Sequence, residues 1–263
     1  MESSPCQPLK GLAPYVGGKR LLSRTLVPLI EKTPHSTYVE PFVGMGGVFF
    51  RRRSRPKAEV VNDLSGDVAS LFRVLQRHYV AFVDMIRWQI TTRSEFERLV
   101  ATYPETLTDL ERAARFFYLQ KTAFGGKVVS RNFGMSPSER GPFDVTRIIP
   151  ELEAYHERLA GVTIERLPYR ALIERYDRDY VLFYLDPPYV GTEHFYGADM
   201  FGREDFAELA EALSALKGRF IMTLNDCADA RAIFKPFRIR SAKLTYGIQG
   251  GQQPARELII SNG

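Results

Sequence analysis

Apolar residues recur along this chain with two different periods. Short β-rich runs, each ending in a small or acidic residue, are separated by stretches in which apolar positions return at helical spacing. The runs predict strands over residues 38–42, 59–62, 162–166, 180–185, 219–224, 238–244 and 256–261. Val68, Leu71, Phe72 and Leu75 follow an i, i+3, i+4, i+7 stripe, as do Leu152, Tyr155, His156 and Leu159, and then Phe206, Leu209, Ala210 and Leu213. These stripes predict amphipathic helices. Strands and helices alternating in this way predict an α/β fold, one seven-stranded sheet with helices on both faces. His156 sits on an apolar stripe and is read as a packed core histidine rather than a catalytic one.

From about residue 76 to residue 147 the strand pattern lapses. Helical stretches lead into a segment rich in Gly, Ser and Pro, residues 124–144. This predicts an inserted subdomain over 76–147, interrupting a catalytic domain made of 1–75 and 148–263.

Composition narrows the picture. A chain of 263 residues with 44% hydrophobic and 25% charged residues suits one large domain with an insertion, and no repeat or low-complexity tract is visible. The longest strongly apolar runs, such as 181–185, are too short to cross a bilayer, and the N-terminus lacks a signal-peptide core. A soluble cytoplasmic protein is expected. Cys6 and Cys227 are the two cysteines, and His35, His78, His156 and His194 are scattered, so neither a disulfide framework nor a metal site is expected. The net charge of +5 carries little by itself, but the window 112–147 holds seven basic residues against Glu139 and Asp144, while the rest of the chain is balanced. That window is the candidate nucleic-acid surface. Arg51, Arg52, Arg53, Arg55 and Lys57 form a second cluster, read as a solvated loop rather than a DNA contact.

Two motifs carry chemistry. Asp186-Pro187-Pro188-Tyr189 follows a buried strand. Consecutive prolines end the strand and hold the preceding Asp186 extended at its carboxyl end, where α/β sheets place ligands. The Asp186 carboxylate and the Pro187 carbonyl suit an exocyclic amino group whose lone pair is delocalised. Acceptors on both N–H groups draw that nitrogen towards tetrahedral geometry and free the lone pair. The Tyr189 ring offers a stacking face for a flipped base. The second motif, Glu40-Pro41-Phe42-Val43-Gly44-Met45-Gly46-Gly47, joins the first strand to a helix by a glycine turn that lets a ligand approach the backbone, and Asp63, about 20 residues on, is placed to accept from ribose hydroxyls. A nicotinamide oxidoreductase uses a similar turn, but the glycine fingerprint is incomplete and no catalytic His or Tyr-Lys pair is evident.

In their order these motifs resemble the Dam-type (D12 class, alpha group) DNA adenine N6-methyltransferases. Tyr15-Val16-Gly17-Gly18-Lys19 resembles the family's W-x-G-G-K, with Tyr for Trp; Glu40 to Gly47 its glycine turn; Asn62-Asp63 its acidic strand end; Asp186 to Tyr189 its D-P-P-Y; and Arg256 to Asn262 its last strand. The resemblance implies the Rossmann-like, seven-stranded mixed sheet of class I S-adenosylmethionine-dependent methyltransferases, with a mostly helical DNA-recognition insert. It implies S-adenosylmethionine binding by Tyr15, Lys19, Glu40, Phe42, Gly44, Gly46, Asp63 and Asp186, and methyl transfer at Asp186, Pro187 and Tyr189. It implies a site-specific enzyme, monomeric in solution, acting on adenine in double-stranded DNA by base flipping. The segment 124–133 has the composition of the family's DNA-entering hairpin, which makes Lys127, Arg131, Asn132 and Arg140 the candidate DNA contacts. A cytosine-N4 or RNA adenine methylase of the same fold, and an inactive DNA-binding regulator, are the alternatives.

Overall fold

The computed structural model describes residues 3–136, 138, 140–191, 201–248 and 251–263, with the side chains of 244–255 left aside. His194, Pro137 and Glu139 lie outside the described residues.

All seven expected strands form, in one sheet: β1 (Thr37–Glu40), β2 (Ala58–Asn62), β3 (Thr163–Glu165), β4 (Val181–Leu185), β5 (Arg219–Asn225), β6 (Arg238–Ile248) and β7 (Gly251–Ser261). Their order is β3-β2-β1-β4-β5-β7-β6. The first five pair in parallel, and the β6–β7 hairpin adds β7 antiparallel to β5. A two-residue ladder of Ser4–Pro5 with Ser54–Arg55 ties down the N-terminal strap.

Strand side chains alternate between two cores, as period-2 geometry requires. Tyr38, Val61, Leu182, Tyr184, Ile221 and Ile259 enter one core, whereas Val39, Val60, Phe183, Leu185, Met222 and Leu258 enter the other. The first core is covered by α1 (Ser23–Lys32), α2 (Gly66–Arg77) and α6 (Val145–Leu159); the second by α7 (Tyr169–Tyr176), α8 (Arg203–Ser214) and α9 (Ala228–Ile233). The three predicted stripes are α2, α6 and α8, and their positions are buried except His156 and Ala210, which are half-buried. His156 is held within the packing: its Nδ1 lies 2.8 Å from the Leu75 carbonyl and its ring stacks on Tyr79.

The insert contributes α3 (Tyr79–Ile86), α4 (Arg93–Ala101) and α5 (Asp109–Thr122). Thr108 and Glu111 close a reciprocal capping box at the start of α5, satisfying amide donors that the first helical turn leaves unpaired. Its core does not stand apart. Phe82, Phe96, Phe116 and Phe117 join the first core together with Phe50 and Phe72, so residues 76–147 share the core that lies on this face of the sheet.

Two expectations about charge are corrected. Arg52 is neither solvated nor free for DNA, since it is 1% exposed, paired with Glu59 and seated on the Tyr38 ring. Arg158 grips the same carboxylate with two bonds of 2.7 Å. Within the 112–147 window, Arg112 pairs with Asp67, Arg115 donates to the Leu99 carbonyl from a buried position, and Arg147 pairs with Asp144. Much of the positive charge in that stretch is thus neutralised or spent on internal bonds.

Candidate active site

Strand order reverses between β1 and β4, which lie side by side in parallel with Val39 opposite Phe183. Their onward connections part to opposite sides, so a crevice opens at their carboxyl ends. Both motifs start there: the glycine turn continues from β1, and Asp-Pro-Pro-Tyr continues from β4. The crevice is the mouth of a cavity of about 1080 Å³, whose walls include Tyr15, Lys19, Glu40, Phe42, Gly44, Asp63 and Asp186. Seven of the eight expected cofactor residues therefore meet in one place.

Gly46 is the exception. A side chain there would run into the Phe50 ring, so this glycine lets the turn pack on the core and does not line the cavity. Gly44 has a φ of +50°, a conformation that L side chains rarely adopt, and a Cβ on it would come within 3.1 Å of the Tyr15 ring. The ring closes over the turn. Asp63 fixes the turn from the other side, accepting from the Gly44 amide and from the Ser65 amide at 2.9 Å each. Burial pushes its carboxyl up to about 6, against the pull of those two amides.

Asp186 is the centre of a polar cluster. Lys19 Nζ lies 2.6 Å from its Oδ1, and the Thr223 hydroxyl donates to the same oxygen at 2.9 Å. Among the described residues, Oδ2 takes no hydrogen bond. Burial raises the Asp186 pKa, Lys19 and Thr223 oppose the rise, and Glu257 adds to it. Glu40, 1% exposed and accepting from the Tyr38 hydroxyl at 2.7 Å, is pushed up to about 8 by burial and is mostly the neutral acid at pH 7. Both prolines are buried, and Pro188 is the one that lines the cavity. The Tyr189 ring does not line the cavity either; the Lys19 ammonium sits over it, 4.6 Å from its centroid.

Sequence reasoning missed three side chains. Thr223 orients Asp186 from the neighbouring strand. Asn225, also on β5, holds Val190 by a bond in each direction, at 3.0 and 3.1 Å, and so anchors the chain that leaves Tyr189. Gln120, fully buried on α5, donates to the carbonyls of Pro14 and Gly126. The only signal for the β5 pair was position: they end the strand next to the one that presents Asp186.

The candidate DNA contacts do not line this cavity, although Val128, next to Lys127, does. Lys127, Arg131, Asn132 and Arg140 are not among its walls. Asn132 and Arg140 are exposed, whereas Arg131 folds inward to donate to Gln120 Oε1 at 3.1 Å over the Phe116 ring, and burial lowers its guanidinium to about 10. Arg131 is therefore not presented to a base edge here. The hairpin composition of 124–133 yields a 3-10 turn at Phe124–Gly126 and a single antiparallel bridge, Ala123 to Phe133, instead of a ladder.

A sheet of this order with a glycine turn and an acidic strand end at its switch point is the Rossmann-like fold of S-adenosylmethionine-dependent methyltransferases. The model of the D12 class N6 adenine-specific DNA methyltransferases matches residues 15–248, and the chain belongs to that family. It is an adenine-specific DNA methyltransferase that uses S-adenosylmethionine.

Among its relatives, the type II methyltransferase M.CviBI of Paramecium bursaria Chlorella virus NC1A is 25% identical over 86% of this chain and 90% of its own length. The type II methyltransferase M1.LlaDCHI of Lactococcus lactis subsp. cremoris is 27% identical over 97% and 95%, and the DNA adenine methylase of Escherichia coli K12 is 26% identical over 71% and 69%. Among solved structures, a ribosomal protein L11 methylase of Lactobacillus delbrueckii subsp. bulgaricus is 10% identical over 92% of this chain and 76% of that one, with a TM-score of 0.39.

Proposed function

We propose that the chain methylates adenine within a specific site of double-stranded DNA, that it flips the base into the cavity, and that Asp186, Pro187 and Tyr189 serve the transfer. The observation that carries this reading is Asp186 on a cavity wall shared with the expected cofactor residues, its Oδ1 held by Lys19 and Thr223 and its Oδ2 taking no hydrogen bond among the described residues. About 1080 Å³ is at the upper end of ligand cavities, which run to about 1000 Å³, and so leaves room for a base as well as a cofactor.

The residues fit the cofactor: Gly44 lacks the side chain that would fill the cradle beneath Tyr15, and Asp63 keeps lone pairs for ribose hydroxyls. When bound, S-adenosylmethionine supplies an electrophilic methyl group on a sulfonium. Asp186 Oδ2 would accept one N–H of the adenine amino group and the Pro187 carbonyl the other, freeing the nitrogen lone pair to take up that methyl group, with the proton the nitrogen sheds released to solvent. Lys19 and Thr223 hold the carboxylate ionised and oriented through its other oxygen. Glu40 bounds the same space as a neutral acid, which avoids a second full negative charge beside Asp186.

The insert, residues 76–147, is the recognition subdomain in this reading, with Lys127, Asn132 and Arg140 towards the duplex. Phe124, 55% exposed next to the cavity-lining Gly125, offers a ring to fill the gap that a flipped base leaves. The enzyme acts as a monomer where the DNA is, in the cytoplasm of a bacterium or of a phage-infected cell. No helix of the described residues is long and apolar enough to cross a membrane. Nucleoside mass spectrometry and modified-base sequencing of DNA from expressing cells test the reading. N6-methyladenine confined to one short sequence is expected; methyl groups scattered over all adenines contradict site specificity.

A further inference from the structure

Part of the cavity wall carries basic side chains that are not among the residues expected to hold the cofactor. The N-terminal strap, the start of α1, the 3-10 turn Phe49–Arg51 with the residues after it, and the end of α5 contribute Lys10, Arg20, Arg24, Arg51, Arg53 and Lys121 to that wall. None of these six cations lies within 4 Å of a carboxylate among the described residues. The contrast with the insert is sharp, since Arg112 and Arg147 there are ion-paired. The acids beside them are Glu31 on α1, whose carboxylate accepts from the Arg53 backbone amide at 2.6 Å, and Glu151 on the facing α6, which lies on the same wall.

Like charges crowd one another here. Burial lowers the Arg51 pKa, Tyr155 opposes and Arg20 adds to the fall; burial likewise lowers that of Lys121, with Glu151 opposing and Lys10 adding. Unneutralised cations gathered on a concave wall raise the folded state's energy unless an anion lies against them, and they focus the field that draws one in. A single small anion is too compact to meet cations drawn from four separate elements. A polyanion with regularly spaced charges is not.

We infer that this wall is a phosphodiester-binding tract, on which the substrate duplex lays its backbone while the target base enters the same cavity. The inference rests on the DNA-methylation reading above and assigns its phosphate contacts to the strap, α1 and the 3-10 turn rather than to residues 127–140. Arg51 and Arg53, read from the sequence as part of a solvated loop, become DNA contacts.

The test is duplex affinity as a function of salt, with S-adenosylhomocysteine present to prevent turnover. The variants are Arg24→Gln, Arg53→Gln and their double, which are exposed positions where folding is not at stake. Lys127→Gln with Arg140→Gln is the comparison pair. Each lost phosphate contact lowers the slope of log affinity against log salt by about 0.9. The double variant is expected to lose about two units of slope on every duplex sequence, with S-adenosylhomocysteine affinity within twofold of the parent. A parent slope retained by the double variant, or a slope lost only in the comparison pair, overturns the tract and leaves the methylation reading standing. A parent that binds duplex without salt dependence overturns both.

Discussion

Lys19 Nζ stands 2.6 Å from Asp186 Oδ1, and Thr223 donates to that same oxygen, so among the described residues the carboxylate is loaded on one side alone. A buried carboxyl without these partners would take up a proton more easily, and a protonated Asp186 cannot accept through both oxygens. Lys19→Met should therefore move the acidic limb of the kcat–pH profile to higher pH. Thr223→Val should move it the same way by less. Profiles at saturating cofactor that coincide with the parent would mean that neither residue tunes Asp186.

Asp63 gives the cofactor site its own pH dependence. With a carboxyl at about 6, it is ionised at pH 7.5 and protonated increasingly below pH 6, where it loses acceptor strength. S-adenosylmethionine affinity should fall as pH drops through 6 in the parent. In Asp63→Asn it should be weaker throughout and flat across that range. Calorimetric titrations between pH 5 and 8 read both, and parallel curves for the two proteins would confine Asp63 to bracing the glycine turn.

Glu40 predicts a stability effect. Burial pushes its folded pKa up to about 8, above the ordinary glutamate value of 4.5, so the folded state holds the proton more tightly. Stability from this group is fully present below about 4.5 and is lost as pH rises towards 8. Glu40→Gln, which stays neutral, should gain on the parent by up to roughly 1.4 kcal/mol per pH unit across that window and level off above it. Urea unfolding at pH 5, 7 and 9 checks the trend; a difference that does not grow with pH contradicts a neutral Glu40.

Gln120 joins the two halves of the function. Its amide donates to Pro14, next to Tyr15 in the strap, and to Gly126, and its carbonyl receives Arg131. A side chain on Gly126 would come within 2.6 Å of the Pro14 backbone, so strap and loop touch directly. Gln120→Leu should weaken both cofactor and duplex binding, each by roughly tenfold, since about 1.4 kcal/mol lies within the usual cost of stranding a buried acceptor. Loss of duplex affinity alone would show that the strap does not depend on this bond.

The sheet, its helices and the switch-point motifs were legible because their signals are local. Two prolines after an apolar run, or glycines after a strand, constrain the backbone whatever surrounds them. The fate of the charges was not legible, because ion pairing is decided by distant partners. Arg158 finds Glu59 from 99 residues away and Arg112 finds Asp67 from 45, so a basic window in the sequence overstates the charge left for DNA. Lys10, Arg24 and Lys121 show the converse, being scattered in sequence and gathered on one wall by the fold. Thr223 and Gln120 carried no motif, and their roles exist only once β5 lies beside β4 and α5 beneath the strap.

The central claim is that Asp186 accepts the adenine amino group, and single-turnover methyl transfer by Asp186→Asn tests it most directly. Asparagine keeps the size of the side chain, whereas alanine would leave the 3%-exposed Lys19 ammonium facing a gap. With enzyme in excess over a duplex of the recognised sequence, and with circular dichroism and cofactor affinity as controls for folding, the rate should fall by at least about 100-fold, the loss expected when one preorganised charge-stabilising group is removed. Cofactor affinity should change far less than the rate. A folded Asp186→Asn protein that binds cofactor and transfers methyl groups within a few fold of the parent rate would contradict the account.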